Sequence, residues 1–195
     1  KIEEGRIRPS KQLAESVSSM LDGNEEFLMI DEQKLVYETA LSLQRRLSKN
    51  ENEPDYSLAA EPTEEYDSNK KYVFIVEGGP GTGKSVVAIN LLVEFTRNRL
   101  LAQYISKNAA PRAVYESKLT GKMRPTKFKN MFKGSGAYVN AEENTFDVLI
   151  VDEAHRLNEK SGLYGNQGDH QVKEIINASR LSIFFIDDDQ RVHIK

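Results

Sequence analysis

Residues 78–85 read GGPGTGKS and fit the pattern G-x-x-x-x-G-K-[ST], which cradles nucleotide phosphates when it lies between a strand and a helix. Glycines let the backbone wrap closely around a triphosphate, and the N-terminus of the following helix adds positive potential. Lys84 is expected to reach the β- and γ-phosphates, and Ser85 to ligate Mg²⁺. The predicted ATP–Mg²⁺ site uses the whole loop: Gly78, Gly79, Pro80, Gly81, Thr82, Gly83, Lys84 and Ser85.

A pair of acidic residues follows an apolar run in the segment FDVLIVDEAHR. In ATP sites built on such a phosphate loop, the first acid is expected to hold Mg²⁺ and the second to polarise the water that attacks the γ-phosphate. Here these acids are Asp152 and Glu153. Open α/β sheets place ligand chemistry at the carboxyl ends of their strands. An acid pair after a strand is commonplace as a solvated strand end, but the phosphate loop upstream favours a catalytic role.

A third polar group ends the segment LSIFFIDDDQRV. Gln190, at the tip of a strand next to the acid pair, could hydrogen-bond the γ-phosphate or the attacking water and so sense hydrolysis. This segment alone fits a polar turn after a core strand equally well. Together with the first two motifs, the sensor role is favoured, so Lys84, Glu153 and Gln190 are the predicted catalytic residues.

A basic stretch separates the phosphate loop from the acid pair. Between residues 112 and 133 there is one acid, Glu116, against seven basic residues: Arg112, Lys118, Lys122, Arg124, Lys127, Lys129 and Lys133. Aromatic residues are interleaved with them: Tyr115, Phe128, Phe132 and, just beyond, Tyr138. Such a stretch suits a single-stranded nucleic acid, whose phosphates would be neutralised and whose bases could stack. A solvated charged face with inward-packing aromatics is the open alternative.

The elements that must position these residues alternate along the chain. Short apolar runs predict strands over 72–76, 101–105, 146–151 and 181–186, and helices are predicted over 84–97, 110–118 and 170–179. The helix over 84–97 is apolar nearly all round, which predicts deep burial. This alternation predicts an α/β fold with a mainly parallel sheet flanked by helices.

The region before the first strand differs in character. Helices are predicted over 10–22 and over 32–48, the latter capped by Asp31. Residues 51–69 carry two prolines, seven acids and no Lys or Arg, which predicts a flexible acidic insertion. The predicted organisation is therefore an N-terminal helical segment over 1–50, the insertion over 51–69 and an ATPase core over 70–195.

Composition excludes several classes of protein. The absence of cysteine rules out disulfides and thiolate metal sites, and no apolar run is long enough for a membrane span. We therefore expect an intracellular, cytoplasmic protein without a membrane partner. The three histidines have no ligand spacing, so His155 is expected to link the phosphate site to a nucleic-acid side rather than to bind a metal.

The phosphate loop, the DEAH sequence and the strand-borne glutamine together resemble the core of superfamily 1 helicases, and more narrowly the Schlafen-type DNA/RNA helicase domain family, from about Phe27 to Val192. The resemblance implies a RecA-like P-loop ATPase that acts on DNA or RNA. It also implies that Gln33, in FLMIDEQ, reads the adenine edge.

The same resemblance implies further contacts and partners. The segment YISKNAAPR would touch a nucleic-acid backbone, which makes the predicted contacts Ser106, Lys107, Asn108, Arg112, Lys127 and Lys129. A second RecA-like domain, which would supply an arginine, is expected to lie outside this chain, so the chain alone would hydrolyse ATP weakly.

Two other functions remain open from the residues. A P-loop regulatory switch would bind ATP to act on a protein partner without responding to nucleic acid. Alternatively, the domain would be the ATPase part of a nuclease or defence enzyme.

Overall fold

A computed structural model describes residues 2–3, 6–7, 9, 15, 27–48, 70–119, 125–162 and 167–187, apart from the side chains of 2, 3, 6, 7, 110, 111, 118, 119 and 127. The acidic stretch 51–69 and Gln190 lie outside these residues. So does the predicted helix over 10–22, except for Glu15, which is helical.

A five-stranded sheet in which every strand pair is parallel forms the centre of the fold. Its order is β3-β7-β6-β4-β5, and an antiparallel pair, β1-β2, lies outside it. The strands are β1 (Ile2–Glu3), β2 (Arg6–Ile7), β3 (Tyr72–Gly78), β4 (Ala102–Ser106), β5 (Phe132–Lys133), β6 (Phe146–Asp152) and β7 (Ser179–Asp187). The predicted α/β fold of the RecA-like type is confirmed.

The four long strands of the sheet are the four predicted from apolar runs, with ends shifted by one or two residues. Parallel strands in such a fold are covered on both faces, which requires continuous rather than alternating apolar residues. In β4 all five residues are buried, and in β6 the last five are. The two-residue strand β5 has no such run, and the sequence did not predict it.

The α-helices whose bounds fall within the described residues are α1 (Asp31–Ser48), α2 (Lys84–Arg97), α3 (Ala109–Leu119), α4 (Pro125–Met131) and α5 (Gln171–Ala178), and 3₁₀ turns occur at Ser135–Tyr138 and Ala154–Arg156. The short helix α4 was not predicted. The prediction that Asp31 caps α1 is wrong, because the helix begins at Asp31 itself. The N–H of Ile30 instead donates to Oε1 of Gln33 at 3.1 Å, so a glutamine in the first turn closes the helix end.

Two apolar clusters cover the two faces of the sheet. One includes Val148 and Ile150 of β6 together with α2, whose apolar residues are buried as predicted. The other includes the alternate residues Leu149 and Val151 together with Ile175 of α5. Successive side chains of a strand point to opposite faces, so β4, β6 and β7 contribute to both layers, whereas Val73 and Ile75 of the edge strand β3 are exposed. In the part of the chain that is described, no helix is long and apolar enough to cross a membrane.

Candidate nucleotide-binding site

The carboxyl ends of three neighbouring strands bring the predicted motifs to one edge of the sheet. Strand β3 ends at Gly78, which is paired in register with Asp187 at the end of β7. Strand β6, on the other side of β7, ends at Asp152. This edge is where ligands bind in open α/β sheets.

The phosphate loop turns sharply between β3 and α2. Gly81 and Gly83 have φ angles of 75° and 80°, a left-handed conformation that favours glycine. The hydroxyl of Thr82 donates to the carbonyl of Gly79 at 2.9 Å, closing the turn from within. Gly83 is the N-cap of α2, so the helix begins directly at Lys84. The positive end of α2 therefore lies in the loop.

The Lys84 ammonium lies within the phosphate loop. It donates to the carbonyls of Gly78 and Gly79 at 2.6 and 2.5 Å. Its Nζ is also 3.9 Å from Oδ2 of Asp187, and both side chains are largely buried. Asp187 is the first of the three aspartates before Gln190, so the strand of the third motif does reach the phosphate loop.

Ser85 and Asp152, the two predicted Mg²⁺ ligands, are in direct contact. The Ser85 hydroxyl donates to Oδ2 of Asp152 at 2.7 Å, across 67 positions of sequence. The buried hydroxyl of Tyr104 donates to the same oxygen, and the N–H of Glu153 donates to Oδ1 at 3.0 Å. Burial, and then the negative charge of Asp152, raise the pKa of Tyr104 well above its ordinary value, so Tyr104 stays a donor.

Glu153, the predicted catalytic acid, takes a strained backbone conformation. Its φ of 52° is left-handed, which is uncommon for a residue with a side chain and is often found at functional sites. Its Oε2 accepts from the amide of Asn108 at 2.6 Å, and its Oε1 is 3.3 Å from Nε of Arg156. Both oxygens of the carboxylate are therefore engaged.

His155 connects the DEAH sequence to β7. Its Nδ1 accepts from the backbone N–H of Asp187 at 3.2 Å, which assigns the proton of a neutral imidazole to Nε2. That Nε2 is buried and makes no hydrogen bond within the described part of the molecule. His155 thus contacts the strand end that carries the partner of Lys84.

Gln33 reaches the phosphate loop from α1. Its Nε2 donates to the carbonyl of Thr82 at 2.9 Å, while its Oε1 accepts from Ile30. Gly83 lies directly against this amide, so a side chain at position 83 would overlap it. The structure thus places Gln33 beside the loop, and its role in reading adenine stays a prediction.

The residues present suit a magnesium nucleotide. The Ser85 hydroxyl and the Asp152 carboxylate are oxygen donors, which Mg²⁺ prefers, and Mg²⁺ is commonly held by one or two protein groups plus phosphates. No cluster of three or more acidic or histidine ligands occurs among the described residues, so an all-protein metal cage is not built there. Three buried polar atoms at this edge lack a partner among those residues: Ser106 Oγ, His155 Nε2 and Asp187 Oδ1.

The predicted nucleic-acid residues are divided between surface and interior. Lys107 and Lys129 are exposed and Arg112 is half-buried, whereas Ser106 is fully buried. The side chain of Lys127 lies outside the description. Lys107 donates to Oδ1 of Asn158 at 2.7 Å, so it is tied to the loop that follows the acid pair.

The aromatic residues of the basic stretch pack inward, which was the alternative to base stacking. Tyr115, Phe128, Phe132 and Tyr138 are all at most 8% exposed. Phe128 stacks on Phe132 with ring centroids 4.3 Å apart, and both Phe132 and Tyr115 contact Tyr104. These rings are core, and bases cannot reach them.

Two residues of the site, Tyr104 and Asp187, had no assigned role from the sequence, and a third, Asn108, was predicted only as a nucleic-acid contact. Tyr104 holds Asp152, Asn108 holds Glu153, and Asp187 faces Lys84. A polar residue near the end of each predicted strand was the available signal, because parallel strand ends converge. Which of these residues form hydrogen bonds with each other depends on the directions of their side chains, and those directions depend on how the strands pair.

Residues 71–195, more than half of the chain, match the family model described as Schlafen group 3, DNA/RNA helicase domain. No curated protein matches the chain significantly. The matched region begins at β3 and includes the phosphate loop, the acid pair and β7.

Proposed function

This chain belongs to the Schlafen group 3 DNA/RNA helicase domain family, and on that premise we propose that it binds ATP with Mg²⁺ and hydrolyses it in a reaction coupled to movement along DNA or RNA. The contact between Ser85 and Asp152, 2.7 Å long, carries the proposal. It joins the phosphate loop, which follows β3, to the acid pair at the end of β6, with β7 between these two strands. It also unites the two oxygen groups that an ATPase of this class uses for its metal.

The phosphate loop would bind the triphosphate by charge and by backbone donors. Lys84, now hydrogen-bonded to two loop carbonyls, would exchange them for phosphate oxygens, which are stronger acceptors for an ammonium group. The N-terminus of α2 adds N–H groups at Gly83 and beyond. When bound beside Ser85 and Asp152, Mg²⁺ would supply positive charge that neutralises the phosphate oxygens.

Glu153 would act as the general base. Its carboxylate follows Asp152 directly, so it would accept a proton from the attacking water while Ser85 and Asp152 hold the metal side. Gln190 remains our predicted sensor, outside the described residues. A second RecA-like domain would supply an arginine, and such a residue contributes a factor of ~10³–10⁵ in rate.

The nucleic-acid partner would bind at the segment that follows β4. Lys107 and Lys129 offer exposed positive charge there, and Arg112 lies on the helix between them. A single strand held through its phosphates fits the inward packing of the aromatics, because backbone contacts require no stacking platform.

The test is ATP hydrolysis by the intact protein with and without single-stranded DNA or RNA. We expect stimulation by the oligonucleotide and loss of all activity in Lys84→Ala. Lys107→Ala should weaken oligonucleotide binding and lower the salt slope by about one. Lys173→Ala, which removes another exposed positive charge, from α5, is the matched control and should change neither.

Two results would count against the proposal. Hydrolysis that persists in Lys84→Ala would place the activity elsewhere. Lys84-dependent binding of ATP without any response to DNA or RNA would instead favour a nucleotide-driven switch that acts on a protein partner.

A further inference from the structure

Asn108 contacts the proposed general base directly. It lies two residues beyond β4, and Glu153 lies one residue beyond β6; the ends of these strands are paired through Ser106 and Asp152. The Asn108 amide donates to Oε2 of Glu153 at 2.6 Å. A hydrogen bond to a carboxylate is about twice as strong as one between neutral groups. The contact therefore restrains the Glu153 side chain.

The hydrogen bond from Asn108 holds the Glu153 side chain toward the β4 side of strand β6. Strand β4 lies on one side of β6, whereas β7 and β3, which leads into the phosphate loop, lie on the other. Asp152 contacts Ser85 at the start of α2. The neighbouring Glu153 instead has its oxygens held by Asn108 and by Arg156. Asp152 is thus shared between Ser85 of the phosphate loop and Tyr104 of β4, whereas the described contacts of the Glu153 carboxylate do not include the phosphate loop.

The segment that holds Glu153 also carries an exposed positive charge. Lys107, next to Asn108, is exposed and donates to Asn158 at 2.7 Å. Consecutive residues after β4 are thus tied to two positions of the loop after β6. A strand of nucleic acid that engages Lys107 would compete with Asn158 for its ammonium and would shift the adjacent Asn108.

We propose, on the basis of the function proposed above, that Asn108 is a positioning residue that holds Glu153 away from the attacking water. Binding of single-stranded nucleic acid beside it releases Oε2 of the carboxylate, while Oε1 stays paired with Arg156. The contact thereby makes hydrolysis depend on the nucleic acid.

The experiment measures ATP hydrolysis by the intact protein with Asn108→Ala, without and with a saturating single-stranded oligonucleotide. Losing one charge-assisted hydrogen bond corresponds to about tenfold. The rate without oligonucleotide should therefore rise about tenfold, and the stimulation factor should fall by the same ratio. The KM for ATP should stay unchanged, because Asn108 contacts the base and not the phosphate loop.

Two further variants make the result specific. Asn108→Asp keeps the shape of the side chain but repels Glu153, so it should raise the unstimulated rate even if Asn108→Ala folds poorly. Asn98→Ala removes the same kind of contact, from the Asn98 amide to Oε1 of Glu94 at 3.1 Å, at the far end of α2. This control should leave both rates at the wild-type value.

The outcomes separate this inference from the proposed function. A wild-type protein without Lys84-dependent hydrolysis would overturn both. If the oligonucleotide stimulates the wild type and the Asn108 variants by the same factor, the restraint of Glu153 by Asn108 is overturned, and the proposed function stands. Equal losses of the stimulated and unstimulated rates would also overturn it, because Asn108 would then support the active position of Glu153.

Discussion

Substitution of Gly83 by alanine tests how tightly Gln33 packs on the phosphate loop. Gly83 has a φ of 80°, and a Cβ there would overlap Nε2 of Gln33 and lie 3.0 Å from its Cδ. The substitution therefore imposes two separate costs. One is the left-handed backbone conformation, and the other is displacement of the Gln33 amide from its partners, Ile30 and Thr82.

Gly81 provides a matched control for the backbone cost. Its φ is 75°, and nothing lies within 4 Å of a Cβ built on it. Gly81→Ala should destabilise the protein by about 1–2 kcal/mol, the cost of the left-handed conformation. Gly83→Ala should cost about 1–2 kcal/mol more, because each of the two hydrogen bonds of the half-exposed Gln33 contributes about 0.5–1 kcal/mol.

Urea unfolding of the single variants and of Gly83→Ala combined with Gln33→Ala measures the coupling. Without the Gln33 side chain, Gly83→Ala should cost no more than Gly81→Ala. The expected coupling energy is therefore about 1–2 kcal/mol. Strictly additive effects, or equal costs of the two glycine substitutions in the wild-type background, would refute the contact between Gln33 and the loop.

Three other substitutions have defined expectations, each measured by unfolding in urea. Tyr104→Phe removes a buried donor to Asp152 and should cost about 1–3 kcal/mol; no change would mean that the hydroxyl is unimportant. Glu174→Ala removes the buried acceptor of the Ser161 hydroxyl and should also cost about 1–3 kcal/mol, whereas Lys173→Ala beside it should cost under about 1 kcal/mol. Burial, and then Asp152, raise the pKa of Tyr115 to about 12, so the fold favours its neutral phenol. The stability that comes from this raised pKa is complete below pH ~10 and is lost as the pH rises toward ~12. Tyr115→Phe should therefore reduce the loss of unfolding free energy at alkaline pH by about 2–3 kcal/mol. A loss equal to that of the wild type would contradict the raised pKa of Tyr115.

Much of the fold followed from local patterns. The apolar runs of β4 and β6 are long enough, and far enough from glycine and proline, to be recognised as buried parallel strands. The phosphate loop could be identified because its glycines meet backbone requirements that few other sequences share. The approach of Ser85 to Asp152 was predictable in kind, since parallel strand ends share one edge.

The features that the sequence did not predict depend on how the helices and strands pack against one another. Tyr115, Phe128 and Phe132 of the basic stretch lie on α3, α4 and β5, and their burial depends on which face of each element meets the sheet. That face is set by tertiary contacts, because α4 is only seven residues long and shows little periodicity. The hydrogen bond from Asn108 to Glu153 likewise spans 45 positions of sequence, and neither residue lies within a helix or strand.

The start of α1 shows how a side chain overrides a simple capping rule. Asp31 has the residue type of an N-cap, yet the helix begins at Asp31 because Gln33 accepts from the N–H of Ile30. The same glutamine donates to Thr82, so one side chain closes the helix and contacts the phosphate loop. The sequence alone does not show whether Gln33 closes the start of the helix, contacts the phosphate loop, or does both.

Calorimetric titration of the intact protein with ATP and Mg²⁺ tests the central claim most directly. We predict one binding site in the wild type that weakens when Mg²⁺ is removed, and no binding in Lys84→Ala with unchanged thermal unfolding. Lys173→Ala should bind as the wild type does. Equal ATP binding by the wild type and by folded Lys84→Ala, or no binding by the wild type, would contradict a nucleotide site at the phosphate loop.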